Sequence, residues 1–552
     1  MYITRPTRTS SNGKTYETIL LRESYRADGK VKNRTIANLT HCNPHEIAAL
    51  ELALKHKDDL TALVSLSKAV EVKEGPSVGA VWVIYQVAKR LGIEKALGRG
   101  MAGQLAMWQV MARVLDQGSR LSAVRLAQIH AGGDVLGMKR GFDEDDLYEN
   151  LKWLAEQQAG IERRLLAERR GKRKPELFLY DVTSSYLEGQ QNELGAYGYN
   201  RDGKRGKKQI VIGLLCDEVG EPVSTEVFAG NTQDVETFPS QVRKAVERFG
   251  CERVTFVGDR GMIKSAGIEV LAREGFHYIT ALTKPQIETL LKSGVLQMEL
   301  FDEELCEVEK EGVRYILRRN PRRAEEMMAS RADKRGSVEA FLREQNGYLK
   351  EHAKAQESVA VRKVGEKIER LRLEGWLRVE AAGRVLSLRV DATVLEEELR
   401  LDGCYVIRTD LPKAVADKRV VHDRYKELTE VERAFRTCKT GHLEIRPVYV
   451  RTEESTRGHV LVVMLAYLIV RELQRAWASL DVTVEEGLHQ LSTLCSLEIR
   501  VNGQASCHKI PQPRELSQKL LAALGVRWPE VLPHRNLRVV TKRKLPSRRK
   551  TA

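Results

Sequence analysis

The sequence predicts a mixed α/β fold: a mixed sheet flanked by helices, preceded by a strand-rich segment and a helical region, and interrupted by an insertion. Three observations carry that expectation. Residues 176–283 read as three strands in succession and then alternate strands with helices. Residues 75–170 space their apolar side chains three and four apart, as one face of a helix requires. Residues 284–403 turn to charge-rich helical stretches before the earlier pattern resumes. Strands that run together and then alternate with helices fit a mixed sheet with helices packed on it.

Along the chain, residues 1–75 form a strand-rich segment in which TYETILLRESYR and VKNRTIANL flank ADGK, whose Asp-Gly pair favours a hairpin turn. Residues 76–170 carry VGAVWVIYQVAKRLGIEKAL and LAMWQVMARVLDQ, a helical and partly basic region that suits either DNA docking or a plain bundle. Residues 171–283 hold the first part of the core. There ELFLYDVTSSYLEG, bounded by Pro175, is followed by KQIVIGLLCD, the turn EVGEP and VSTEVFAG, which together read as an antiparallel meander. A helix (VETFPSQVRKAVERFG), a strand (RVTFVGD), a helix (IKSAGIEVLAREG) and a strand (FHYITAL) complete it. Residues 284–403 are the insertion, and 404–480 the second part of the core, with helices at about 418–439 and 455–479. Residues 481–552 form a C-terminal region with a basic tail, and no internal repeat is visible.

Several function classes are disfavoured. The apolar run Val460 to Val470 is too short to span a bilayer and ends in Arg471. The N-terminus lacks the apolar core of a secretory signal, so no membrane and a cytoplasmic, nucleoid-associated location are expected. Eight scattered cysteines include no CxxC pair, which argues against a zinc finger or a disulfide framework. Cys507-His508 is read as structural.

Charge points to a partner. The net charge is +15, and Val531 to Ala552 contains Arg535, Arg538, Lys542, Arg543, Lys544, Arg548, Arg549 and Lys550 with no acid. ERRGKRK (168–174) and RDGKRGKK (201–208), the latter containing Arg201, Lys204 and Arg205, flank the Asp181 strand. Basic runs on both sides of one costly carboxylate favour a nucleic acid.

Asp181 follows the apolar run Leu177 to Tyr180, and Asp259 follows RVTFVG, with Arg260 opening the next turn. Helix N-capping would explain either aspartate alone. Two such strand ends in one sheet favour metal binding, because acids at strand ends line ligand crevices. The third acid lies in HDRYKELTEVERAFRTCKT (422–440). Read as one helix, this segment puts Glu432 in the stripe of Leu428, Val431 and Phe435, and Glu430 about 200° away from it. A salt bridge to Lys439 or Arg436 is the structural alternative. Three such carboxylates suit two Mg²⁺ ions, with Mn²⁺ substituting, since Mg²⁺ takes few protein carboxylates and leaves room for water and phosphate. Two ions about 4 Å apart activate a water or 3′-hydroxyl for in-line displacement.

The Asp–Asp–Glu order, the strand–meander–helix pattern and the long insertion before the Glu helix resemble a bacterial insertion-sequence DDE transposase with an RNase H-like catalytic core. More narrowly, the chain is similar to insertion-sequence family four, in a long-chain subgroup. That family's signature of Tyr, Arg, Glu and Lys is matched by Tyr425, Glu432 and Lys439, while Leu428 replaces the expected Arg and Arg433 or Arg436 stands in for it. YGYNRDGKRGKKQIVIGLL (197–215), FAGNTQDVETF (228–238), EIRPVYVRTEESTRGHV (444–460) and ESYRADGKVKNRTIANL extend the likeness over most of the chain. The resemblance implies an enzyme that binds the terminal inverted repeats of its element, cuts double-stranded DNA and joins it to a target, as a homodimer in the DNA complex. It implies Asp181, Asp259 and Glu432 as the metal-holding catalytic acids. DNA contacts are expected from Tyr425, Lys439, Arg436, Arg201, Lys204, Arg205 and Arg260, end recognition from residues 76–170, and a strand-rich insertion. The rivals are an RNase H-like nuclease without strand transfer and a domesticated DNA-binding repressor; the presence of all three acids argues against the repressor.

Overall fold

The Asp-Gly pair of ADGK makes the turn its sequence favours. Asp28 and Gly29 both take positive φ, 53° and 74°, as a two-residue type I′ hairpin requires. The computed structural model describes residues 1–58, 70–171, 173–439, 443–446, 448–501, 505–535 and 537–542. The tail cations Arg543, Lys544, Arg548, Arg549 and Lys550, together with Lys172 of the upstream basic run, lie outside the described residues. At the N-terminus β1 (Tyr2–Thr4), β4 (Leu20–Ala27) and β5 (Lys30–Asn38) form a sheet, β2 (Thr7–Thr9) pairs with β3 (Thr15–Glu17), and α1 (Pro44–Lys55) starts at an Asn43–Glu46 capping box.

β6 (Val70–Ser77) leads into α2 (Gly79–Arg90), α3 (Met101–Leu115), α4 (Arg120–Ile129) and α5 (Glu144–Arg170). These helices do not stand apart as a DNA-docking bundle. α3 is buried almost continuously from Leu105 to Val114, and its Trp108 and Met111 share one core with Leu461 and Leu465 of the later helix Glu453–Trp477. Their 3.6-residue periodicity marks core faces, as it most often does.

The largest sheet begins with the expected meander: β7 (Leu177–Tyr186), β8 (Gln209–Asp217) and β9 (Pro222–Ala229), each antiparallel to the next. After α6 (Asp234–Arg243), β10 (Thr255–Gly258) pairs parallel with β7; after α7 (Ser265–Arg273), β11 (His277–Ala281) pairs parallel with β10. The order β9-β8-β7-β10-β11 is the RNase H-like arrangement. The period-2 alternation of β7 divides the core: Leu177 and Leu179 face the helical side, whereas Phe178, Tyr180 and Val182 join Phe238 and Phe256 on the other.

The sheet does not stop at β11. β12 (Cys306–Lys310), β13 (Val313–Arg319) and a strand at Cys404–Thr409 continue it to eight strands. Between them α8 (Pro321–Glu351), α9 (Glu357–Arg370) and the hairpin of β14 (Leu377–Ala382) with β15 (Val385–Val390) close a separate small core around Val364, Ile368 and Trp376. The resemblance implied a strand-rich insertion; helices of 31 and 14 residues dominate it instead. Its Ala, Glu, Lys and Arg content, high in helix propensity, explains the difference.

β16 (Cys404–Thr409) is followed by α10 (Lys418–Lys426), α11 (Leu428–Lys439) and α12 (Glu453–Trp477). The stretch read as one helix is therefore two, divided at Glu427. α13 (Val484–Ser492), β17 (Cys495–Val501), β18 (Ala505–Lys509) and α14 (Glu515–Ala523) follow, and β17 pairs with β6, so the C-terminal region is tied back to residue 70. Leu537 and Val539 pack on the main core, and Lys542 pairs with Asp143 at the start of α5 (2.6 Å). Among the described residues no helix is long and apolar enough to cross a membrane.

Candidate active site

Parallel pairing of β7 and β10 places Tyr180 opposite Gly258. The next residues, Asp181 within β7 and Asp259 just past the end of β10, therefore lie side by side. Asp181 is not at a strand end, as the sequence suggested, because β7 runs on to Tyr186 along the full length of β8. Only β10 stops. N-capping is not the role of Asp259 either, since α7 begins at Ser265 after Lys264.

α11 supplies the third acid. Leu428, Val431 and Phe435 are buried, and the helix packs along β7. Glu432 is exposed at the edge of this stripe and lines one cleft of about 450 Å³ with Asp181, Asp259, Arg260 and Tyr425. The Asp181 carboxyl is pushed up to about 7, chiefly by burial and further by the like charges of Asp259 and Glu432; the Val182 N–H and Arg201 offset this in part. The Tyr425 hydroxyl donates to Asp259 Oδ1 at 3.4 Å, although Tyr425 sits on α10 and not on the Glu helix. Burial raises that phenol further above its ordinary range.

Glu430 points elsewhere. It pairs with Arg433 (3.0 Å) and Arg471 (3.9 Å) and abuts the β8–β9 turn at Gly220. Glu427 pairs with Arg424 at 3.1 Å.

A model described as "Transposase DDE domain" matches residues 172–469, more than half of the 552-residue chain. The chain belongs to the DDE transposase family. A second model, "IS1634 family transposase, N-terminal domain", matches residues 3–63 of this transposase. No curated protein matches the chain. Among solved structures it is similar to a piggyBac transposase synaptic complex with hairpin DNA, at 8% identity and a TM-score of 0.34, over 80% of this chain and 76% of the other.

A DDE transposase is a DNA-processing enzyme that depends on divalent metal. Among the described residues no three His, Cys, Asp or Glu side chains are already gathered as a metal-holding group. The chemistry of the cleft nonetheless suits one: three carboxylates, hard oxygen donors, share it, and a cation would relieve the burial and repulsion felt by Asp181.

The cationic residues separate into three sets. Arg260 lines the cleft, joined by Lys284, Arg323 and Lys426, which the sequence pattern did not single out. Those three come from separate segments, Lys284 and Arg323 from within residues 284–403 and Lys426 from α10, so no local spacing could have marked them. Arg201 holds Asp234 with contacts of 2.7 Å, Lys204 lies 5.8 Å from the Tyr186 ring centre, and Arg205 and Arg436 are exposed. Lys439 is different: it is buried and donates to Asp202 at 2.8 Å.

Proposed function

We propose that this transposase binds the terminal inverted repeats of its own element, cuts the DNA beside them and joins the freed end to a target, with Asp181, Asp259 and Glu432 holding two Mg²⁺ ions. One observation carries the reading: the register of two adjacent parallel strands sets Asp181, within β7, beside Asp259, at the end of β10, and Glu432 shares their cleft. When bound, the ions supply an activated water or 3′-hydroxyl and stabilise the leaving oxygen.

The protein's own groups do the rest. The strand register holds Asp181 beside Asp259, and the Tyr425 hydroxyl orients the Asp259 carboxylate. Arg260, Lys284, Arg323 and Lys426 grip the phosphodiester backbone as it enters. Arg201, Lys204, Arg205 and Arg436 extend that track; Lys439 would have to leave Asp202 before reaching a phosphate. Mn²⁺ substitutes for Mg²⁺. End recognition is assigned to exposed faces of residues 76–170. Pairing of two ends makes the active species a homodimer on nucleoid DNA. The family-four assignment rests on the spacing of Tyr425, Glu432 and Lys439, whereas the N-terminal match favours the IS1634 family. The divisions at 75, 170, 283, 403 and 480 separate roles and not packing units, since β6 runs across 75 and β12 and β13 carry the large sheet beyond 283.

A joining assay tests this against a nuclease. A pre-cut duplex taken from the DNA that flanks the reading frame is incubated with supercoiled plasmid and Mg²⁺. Covalent joining is the expected result; nicked plasmid without joined product would identify a nuclease.

A further inference from the structure

Asp202 lies outside the cleft, and its side chain is 1% exposed. Its Oδ1 accepts from Lys439 Nζ at 2.8 Å and from an Arg446 Nη at 2.6 Å, and its Oδ2 accepts the Tyr186 N–H at 2.9 Å. One carboxylate thus joins the last residue of α11, the connection into α12 and the end of β7. Arg446 Nε also donates to the Lys439 carbonyl at 3.1 Å, which closes the ring of contacts. The adjoining Arg201 N–H donates to Ser184 Oγ at 2.8 Å, and the Arg201 charge is felt at Asp181. The loop bearing Arg201, Lys204 and Arg205 is therefore pinned to β7 just beyond Asp181 and to the helix that carries Glu432.

Burying a carboxylate with two cations is a poor way to gain stability, since desolvation offsets much of the attraction and apolar side chains often serve as well. What such a cluster supplies is placement. We propose that Asp202 is a positioning residue: by tying Lys439 and Arg446 to the end of β7, it sets the basic loop and the Glu432 helix relative to Asp181. The proposal rests on the transposase reading of the cleft.

The test uses the full chain. Asp202→Asn keeps the side-chain shape and an acceptor for the Tyr186 N–H while removing the charge; Arg446→Gln is the second variant should the first fail to fold. Cleavage at saturating DNA, metal-free binding of the same end duplex, and amide exchange of the loop and the α11 end are measured together. Cleavage should slow by about 10- to 100-fold, the scale of a small misplacement of catalytic groups. Binding should stay within about threefold, since it rests on dispersed phosphate contacts. Exchange should quicken at both anchored segments, and Arg446→Gln should move in the same direction. Folded variants that cleave at the wild-type rate would overturn the proposal alone, whether or not exchange changes. Wild-type protein that fails to cut would remove the transposase reading, and this proposal with it.

Discussion

Asp181 is the residue on which charge, burial and chemistry converge. Burial first, then the like charges of Asp259 and Glu432, push its carboxyl up to about 7 from an ordinary value of 3.8. A carboxyl raised on folding contributes stability that is complete below 3.8 and is lost as pH rises to about 7. Metal-free protein should therefore be less stable at about pH 8 than at about pH 5 through this group, and Asp181→Asn should reduce that difference in urea melts. An unchanged difference would show that Asp181 is not strained. A divalent ion must displace the same proton, so Mn²⁺ affinity should weaken as pH falls below about 7, which calorimetry at two pH values would read. Asp181→Ala and Asp259→Ala should each abolish metal-dependent cleavage and leave end binding largely intact; full cleavage by either would remove that residue from the site. Both aspartates were legible in the sequence because an apolar strand running into a carboxylate is costly unless something pairs with it. Their adjacency was not, since it depends on a pairing between residues 180 and 258 that no local pattern encodes.

At the scale of elements, the meander, the alternation after it and the ADGK hairpin follow period-2 and turn chemistry and were readable locally. Three features were not. The break at Glu427 lies within a stretch whose apolar spacing continues across it, so Tyr425 was placed by a register its helix does not share with Glu432. β12 and β13, which lie within residues 284–403, join the large sheet through the long-range pairings of β13 with β16 and of β16 with β11. The 76–170 helices bury their apolar faces on α12, a partner some three hundred residues away. The approach of α5 to α12 is close. A Cβ on Gly458 of α12 would stand 2.0 Å from the Leu151 carbonyl oxygen of α5. Gly458→Ala should thus destabilise the protein by about 1–3 kcal/mol, seen as a lower urea midpoint at unchanged slope. A wild-type midpoint would show that the two helices can part without cost.

For the whole molecule, the basic tail is two things in sequence. Residues up to Lys542 are part of the fold, with Leu537 and Val539 on the core and Lys542 on Asp143. Truncation after Lys542 removes Arg543, Lys544, Arg548, Arg549 and Lys550. If these cations neutralise phosphates, the slope of log K against log[salt] should flatten by about 0.9 for each phosphate they no longer reach. An unchanged slope would show that they leave the DNA backbone alone. Truncation after Glu530 should cost stability beyond that, through the packing it deletes. The central claim is that one helix presents Glu432, and not its neighbours, to the two aspartates while the assembled protein joins DNA. It is tested most directly by strand transfer of a pre-cut end with Glu432→Gln and Glu430→Gln side by side, each checked for end binding. The structure predicts that Glu432→Gln binds DNA and joins none. Glu430→Gln should join at near the wild-type rate, since its pair with Arg433 is partly exposed and Arg471 keeps Glu221 at 3.4 Å and the Val219 carbonyl at 2.7 Å. Joining by Glu432→Gln, with loss in Glu430→Gln, would contradict both the register of α11 and the assignment of the site.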